Sequence, residues 1–374
     1  MNRNGQRRFL EFFAGGGMAR VGLGDDWTCV FANDFDPIKA AAYRANFADA
    51  AEHFHEGDVF ALSAERLPDA ALAWASSPCQ DFSLAGARAG LSGGRSSAFF
   101  GFWSLMQALS ERGRAPSVIV IENVVGLLTS HGGADFIALC RTLHEEGYRF
   151  GALEIDAGAF LPQSRPRVFV VATRNPPDDL VGASPFHTRA VREAAARLPA
   201  ELQAAWIWWG APSPRARNAD LAAMLEPDDR VAWNPSQRTE ALLALMAPSH
   251  RAAVETRRAG RERSVGAVFR RMRGGQQRAE VRFDGLAGCL RTPRGGSSRQ
   301  TLLVIDNGVV RSRLISPREA ARLMGLPDSY QLPKSQTAGL MVMGDGVAVP
   351  VVRWLAETLL KPLVDSKTAN LAAE

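Results

Sequence analysis

The chain has 374 residues, 46% hydrophobic and 22% charged, with a formal net charge of 44 − 39 = +5. That length suits one large domain with a smaller one, and the composition excludes the disordered and fibrous classes. Basic Met1 to Arg8 before apolar Phe9 to Leu23 imitates an export signal, but Glu11 and Arg20 interrupt it, and no uncharged apolar run of about 18 residues exists. The expectation is a cytoplasmic protein with no membrane partner.

In chain order, the first 175 residues alternate short apolar or β-branched runs with helical patterns, the rhythm of a doubly wound α/β sheet. The predicted strands are Arg8 to Phe12, Thr28 to Ala32, Ala71 to Ala75, Val118 to Ile121, Phe150 to Ile155 and Arg167 to Ala172. Amphipathic stretches at Pro37 to Asn46, Phe99 to Arg112 and Gly133 to Glu146 lie between them. Asn175-Pro176-Pro177 breaks the rhythm, and a domain boundary is placed there. Beyond it, a region poor in β-branched runs carries Trp206, Trp208 and Trp209, expected in a core ahead of any base-stacking role. Ser316-Pro317-Arg318-Glu319 is a helix start, with serine as cap and proline at the first helical position. Val347 to Leu360 follows as a last helix to pack back on the sheet. The expected division is therefore 1–177 plus 316–374, and 178–315.

Four cysteines, Cys29, Cys79, Cys140 and Cys289, form no Cys-x-x-Cys pair, which argues against a disulfide framework and a structural zinc site. His53 and His55 alternate without a third ligand nearby and are expected at the surface. No metal is expected.

The chemistry centres on Pro78-Cys79-Gln80, just past the strand-like run Leu72 to Ser77, and on Glu122-Asn123-Val124, 122 − 79 = 43 residues later. A thiol and a carboxylic acid at the ends of two strands are placed to grip opposite sides of one flat ring, although a cysteine taken alone is more often a buried core residue. Phe13-Ala14-Gly15-Gly16-Gly17, after the first strand, lets the backbone turn sharply and approach a cofactor. The dinucleotide fingerprint is not met, because Met18, Ala19 and Arg20 follow Gly17. Asp34, 34 − 17 = 17 residues on, is placed to accept ribose hydroxyls, and Asp58 to meet an adenine amino group. Both are also ordinary turn or cap residues. Arg165 and Arg167, spaced by two, project to one side of an extended chain and either bracket the site or form a surface pair. From Arg257 to Arg299 twelve arginines face three acids, 12 − 3 = +9, a density that suits a phosphate backbone and guanine edges or a solvated basic surface.

Taken together, Phe13 to Gly17, Asn33-Asp34-Phe35-Asp36, Gly57-Asp58-Val59, Pro78 to Ser83, Glu122-Asn123-Val124, Gln163-Ser164-Arg165-Pro166-Arg167, Ser316 to Arg322 and Gly344-Asp345-Gly346-Val347 resemble the DNA (cytosine-5) methyltransferases, in that family's order. The resemblance covers nearly all the chain outside about 178–263. It implies a Rossmann-like methyltransferase domain with a smaller target-recognition domain. S-Adenosyl-L-methionine would be held by Phe13, Gly15, Gly17, Asp34, Phe35, Asp58, Val59, Pro78, Asp345 and Val347. Cys79 would attack carbon 6 of a flipped cytosine, Glu122 would engage ring nitrogen 3, and Arg165 and Arg167 would flank them. Double-stranded DNA would be met by Ser83, by Arg88 and Arg95 on a closing loop, and by groove-facing loops with Arg270, Arg271, Arg273, Arg291, Thr292 and Arg294. A cognate restriction endonuclease would act separately, and a monomer would suffice.

Two positions depart from the family: Asp345 stands where an asparagine is usual, and Glu11 where an aspartate is. A methyltransferase of exocyclic amino groups would need a Pro-Pro-aromatic motif, absent here. A transfer-RNA cytosine methyltransferase shares the core but carries a Cys-Phe-Thr tripeptide, also absent. A nonenzymatic DNA-binding relative would lack the thiol or the acid, and both are present.

Overall fold

The computed structural model describes residues 7–77, 98–292 and 299–371. They fall into two compact units, one drawn from Met1–Asp156, Pro166–Arg215 and Val349–Glu374, the other from Ala157–Arg165 and Ala216–Ala348.

The first unit is built on a seven-stranded sheet ordered β3-β2-β1-β4-β5-β7-β6. Its strands are β1 (Arg8–Phe12), β2 (Thr28–Asp34), β3 (Phe54–Glu56), β4 (Leu72–Ala75), β5 (Val118–Val124), β6 (Arg149–Asp156) and β7 (Pro166–Thr173). β1 through β5 pair parallel, whereas β7 runs antiparallel to both β5 and β6. β4 and the first six residues of β5 are buried throughout, as strands covered on both faces must be. Helix Ala98–Glu111 supplies one cover through Phe99, Phe102, Trp103, Leu105, Met106 and Leu109. Each large side chain so buried contributes roughly 1.5–3 kcal/mol. Strand order reverses beside β1: β2 and β3 lie to one side, β4 and β5 to the other. In doubly wound sheets the crevice at the carboxyl ends of the strands flanking that reversal receives the ligand. Here those ends are the turn after Phe12 and the segment after Ala75.

The six predicted strands all form, several extended at their ends. The short β3 was not expected, having only three residues and no hydrophobic run.

The boundaries differ from the expected division: 178–215 lies in the first unit, and 157–165 and 316–348 in the second. The first displacement has a plain cause in the tryptophans. Phe150 N–H donates to Ala205 O (3.1 Å) and Ile207 N–H to Phe150 O (2.7 Å), so this segment continues the edge beside β6. Trp206 meets Phe136 and Phe150 edge-on, and buried Trp209 donates to Val171 O (3.1 Å). Trp208 departs from the core expectation and is 37% exposed. The final helices start at Val349, where Val352 fits against Gly22 and Trp354 against Phe186. Gln336–Ser366 has the length and apolarity to cross a membrane, but 72% of that window is buried, as in a core helix.

The second unit contains a four-stranded antiparallel sheet ordered β11-β10-β8-β9, which the sequence did not reveal. Its strands are β8 (Ser264–Arg273), β9 (Gln276–Arg282), β10 (Thr301–Asp306) and β11 (Val309–Leu314). Val268, Ala279, Val281, Leu303 and Ile305 pack with Leu242 and Val254, from helices Ser236–Ala244 and Pro248–Ala259, and with Met246 from the connection between those helices. Helix Pro317–Leu323 starts as expected, with a full capping box between Ser316 and Glu319. Glu319 also forms a two-pronged ion pair with Arg313 (2.6 and 2.7 Å), both side chains fully buried. That pair fixes 316–323 to β11, which is why this stretch belongs with the second unit.

Candidate active site at the strand ends

β4 and β5 are neighbours in register, Ala75 opposite Ile121. Chain continuing from Ala75 and the residues after Ile121 therefore run past the β4–β5 pairing at the same end of the sheet. Glu122 is the first of these on β5, 7% exposed, and its Oε1 lies 3.1 Å from Arg167 Nε. The partner comes from β7, where Arg167 is in register with Val124. Asn123 was quoted in the sequence only as a neighbour of Glu122, yet it joins the two strand ends. Its Nδ2 donates to Ser77 O (3.2 Å) and Oγ (3.3 Å), while its Oδ1 accepts from Val124 N–H (2.8 Å). Asn123 thus fixes the backbone directly before position 78. Pro78, Cys79, Ser83, Arg88 and Arg95 lie outside the described residues, as does Arg294.

At the end of β1 the turn has left-handed backbone at Phe13, Gly15 and Gly17, with φ of 58°, 58° and 78°. A Cβ on Gly15 would meet nothing within 4 Å among the described residues, which leave open space over the turn. At Gly17 it would stand 2.2 Å from the Phe47 ring, so close packing as well as φ demands glycine there. Asp34, 4% exposed, braces this turn: Oδ2 accepts from Gly15 N–H (2.8 Å) and Oδ1 from Asp36 N–H (2.9 Å). A carboxylate offers about four acceptor sites, so two remain after these bonds. Burial raises the Asp34 pKa. Phe35 beside it is 64% exposed, a large ring with no cover of its own. Asp58 is exposed and caps the short helix Val59–Ala61 through Phe60 N–H (3.1 Å), while Val59 is buried. The cap reading left open for Asp58 is thus one role it fills.

Beneath the turn sits Glu11, 1% exposed, with no hydrogen bond of good geometry to either oxygen among the described residues, the Arg20 backbone N–H being a weak neighbour. Burial pushes its pKa from 4.5 to about 8, against the pull of the Arg20 charge and backbone N–H. Arg20 grips both oxygens of Asp49 (2.7 and 2.9 Å), contacts His53 Nε2 (2.9 Å) and lies 4.1 Å from the Phe47 ring centroid. His53 is consequently buried, correcting the surface expectation, and desolvation lowers its pKa.

In the second unit Arg165 is 2% exposed and serves backbone. It donates to Leu290 O (2.8 Å), Gly344 O (2.9 Å) and Gly346 O (2.6 Å). Of the two arginines expected to bracket the site, Arg167 meets the Glu122 carboxylate, and Arg165 ties the 290 and 344–346 segments together. Buried Gln163 adds a bond to Leu323 O (2.7 Å). Gly344 packs so closely on Thr292 that a Cβ would stand 2.5 Å from its nitrogen. Asp345 ends helix Gln336–Asp345 exposed, and Val347 is buried. Arg291 is exposed and Thr292 half-buried, both in irregular chain. Arg270, Arg271 and Arg273, expected on a loop, instead occupy the outer half of β8, where each stands opposite a residue of β9.

A reversing sheet with a glycine turn after β1 and acids at the ends of β2 and β5 defines a doubly wound α/β enzyme with its site at the strand ends. Residues 7–361 match the C-5 cytosine-specific DNA methylase family, and the chain belongs to that family of methyltransferases. It is 26% identical over 351 residues to the type II methyltransferase M.HhaI of Haemophilus parahaemolyticus, covering 93% of each. Against M.NlaX of Neisseria lactamica it is 27% identical over 366 residues, covering 94% of this chain and 96% of the relative. Among solved structures, the S. pombe Dnmt2 methyltransferase aligns with a TM-score of 0.60 at 19% identity, over 95% of this chain and 99% of that one. The Entamoeba histolytica methyltransferase EhMeth gives 0.60 at 14%, over 96% and 99%. These two likenesses bear on the fold.

Proposed function

We propose that this chain transfers a methyl group from S-adenosyl-L-methionine to carbon 5 of a cytosine within a specific double-stranded DNA sequence. The observation that carries the reading is the buried Glu122, oriented by Arg167, on the strand adjacent to the one that leads to Cys79. In this reading the first unit does the chemistry and the second recognises the target.

Carbon 5 of cytosine is a poor nucleophile until carbon 6 is saturated. The Cys79 thiolate adds to carbon 6, forming a C–S bond, while Glu122 donates a proton or hydrogen bond to nitrogen 3. Arg167, through its ion pair, holds the Glu122 carboxyl at the ring edge. The electron-rich carbon 5 then takes the methyl group, water removes the carbon-5 proton, and the electrons of that C–H bond restore the double bond as Cys79 leaves. A duplex hides carbon 6, so the cytosine must be swung out of the stack first.

The residues present fit the cofactor. Open space over Gly15, the exposed Phe35 ring and the two remaining acceptor sites of Asp34 suit an adenosyl group, with Asp58 and Val59 at its base end. Bound there, the cofactor supplies an electrophilic methyl group. Phe13, Gly17 and Pro78 complete the proposed set in the first unit.

Bisulfite sequencing of DNA from cells expressing the wild type or Cys79→Ser tests the reading. Protected cytosines in one sequence context, present only with the wild type, are expected. Their absence, or methylation appearing only on transfer RNA, overturns it.

A further inference from the structure

The hairpin of β8 and β9 carries five arginines, Arg270, Arg271, Arg273, Arg278 and Arg282, and its geometry sorts them. Among the described residues β10 pairs with β8 only as far as Val268, so the outer hairpin they form is a two-stranded ribbon. Gly274 and Gly275 close it with φ of 54° and 75°, and a Cβ on either would meet nothing within 4 Å among the described residues. The ribbon tip thus stands clear of its own unit.

Alternation puts Arg271 and Arg273 on one face and Arg270 and Met272 on the other. On the first face Glu280 holds both arginines, Arg273 at 2.7 Å and Arg271 at 3.3 Å. On the second, the side chains of Arg270 and Gln277 have no hydrogen-bond or ion-pair partner among the described residues, and Met272, opposite Gln277, is 64% exposed. An open guanidinium fork, an open amide and an apolar tip on a two-stranded ribbon have a chemical counterpart. The major groove admits such a ribbon, guanine accepts the fork at O6 and N7, adenine pairs with an amide, and thymine offers a methyl group. Residues two apart on a strand span about 6.6–6.8 Å, close to two base-pair steps of about 3.4 Å.

We propose that the Arg270–Met272–Gln277 face reads base identity in the target sequence, while Arg271 and Arg273, held by Glu280, grip the backbone. This rests on the reading that the chain methylates double-stranded DNA, and it deepens that reading by assigning specificity.

The test uses the full-length chain and a pool of duplexes randomised around one cytosine. Methylated molecules are sequenced for the wild type, Arg270→Lys, Gln277→Ala and Arg271→Ala. Arg270→Lys keeps the charge and loses the fork, so discrimination at one base position is expected to fall about ten-fold or more, with other positions unchanged. Gln277→Ala is expected to relax a different position. Arg271→Ala is expected to lower methylation of all sequences alike and to weaken the salt dependence. The proposal is overturned if Arg270→Lys and Gln277→Ala leave all preferences within about two-fold of wild type, or if Arg271→Ala reshapes them. A parallel selection by binding, with S-adenosylhomocysteine in place of the methyl donor, separates the two claims. A wild type that selects a sequence without methylating it sinks the catalytic reading, and the variants then judge the reading face by the same criteria. A wild type that does neither sinks both.

Discussion

The strand-end site of the first unit and the hairpin of the second use charge in opposite ways. Glu122, Asp34 and Glu11 are sunk in the fold, each at most 7% exposed, and backbone or arginine contacts fix the first two in place. The outer hairpin's arginines stand in solvent, with one acid, Glu280, between Arg271 and Arg273. Chemistry on a ring requires groups held within a fraction of an ångström before the substrate arrives. Recognition of a polyanion requires charges whose present partners, water or one surface carboxylate, give way easily.

The largest effect should come from Glu122→Gln. Turnover is expected to fall about 10²–10⁴-fold, with duplex affinity changing only a few-fold, measured by single-turnover methylation beside gel shift. Equal losses in both would erase the distinction between fixed chemistry and exposed recognition. Glu319→Ala comes next, because it leaves Arg313 charged and unpaired in a fully buried position. A loss of about 3–5 kcal/mol in denaturant unfolding is expected. Arg313→Met with Glu319→Leu should recover much of that; failure to recover would mean the pair does more than neutralise itself.

Glu11 offers a pH test. Its folded pKa of about 8 lies above its ordinary 4.5, so between those values the folded chain keeps a proton that the unfolded chain has released. Stability from this group is full below about 4.5 and lost as pH rises toward 8. Glu11→Gln cannot ionise, so it should exceed the wild type by a few kcal/mol above pH 8 and converge with it at low pH. Urea midpoints that run parallel between pH 5 and 9 would show that Glu11 titrates normally. The smallest effect belongs to Glu280→Gln. Releasing Arg271 and Arg273 should cost about 0.2–1 kcal/mol of stability and raise DNA affinity a few-fold at low salt, a gain that salt abolishes. No gain would place those arginines away from the DNA.

The strands and the helix start at Ser316 were legible because each is a local pattern: apolar runs, a serine before proline, a glutamate three residues on. β3 escaped, since three residues carry no period. The four-stranded sheet escaped for another reason: Arg270, Met272 and Gln277 give its outer half no alternation of polar with apolar. The arginine pair shows the same limit in the site. Spacing by two suggested one face and two brackets of one site, but buried carbonyls at 290, 344 and 346 claim Arg165, and only folding brings them there.

By itself the sequence determined the family, the doubly wound rhythm and the chemistry at stake, because ordered motifs specify residue types and those types limit the reactions available. Tertiary structure alone decided which charges are partnered. It joined Glu122 to Arg167 and Asn123 to Ser77, sank Glu11 and His53, and left Arg270 open. Such pairing depends on distance and dielectric between residues far apart in the chain, and neither quantity is written in their order.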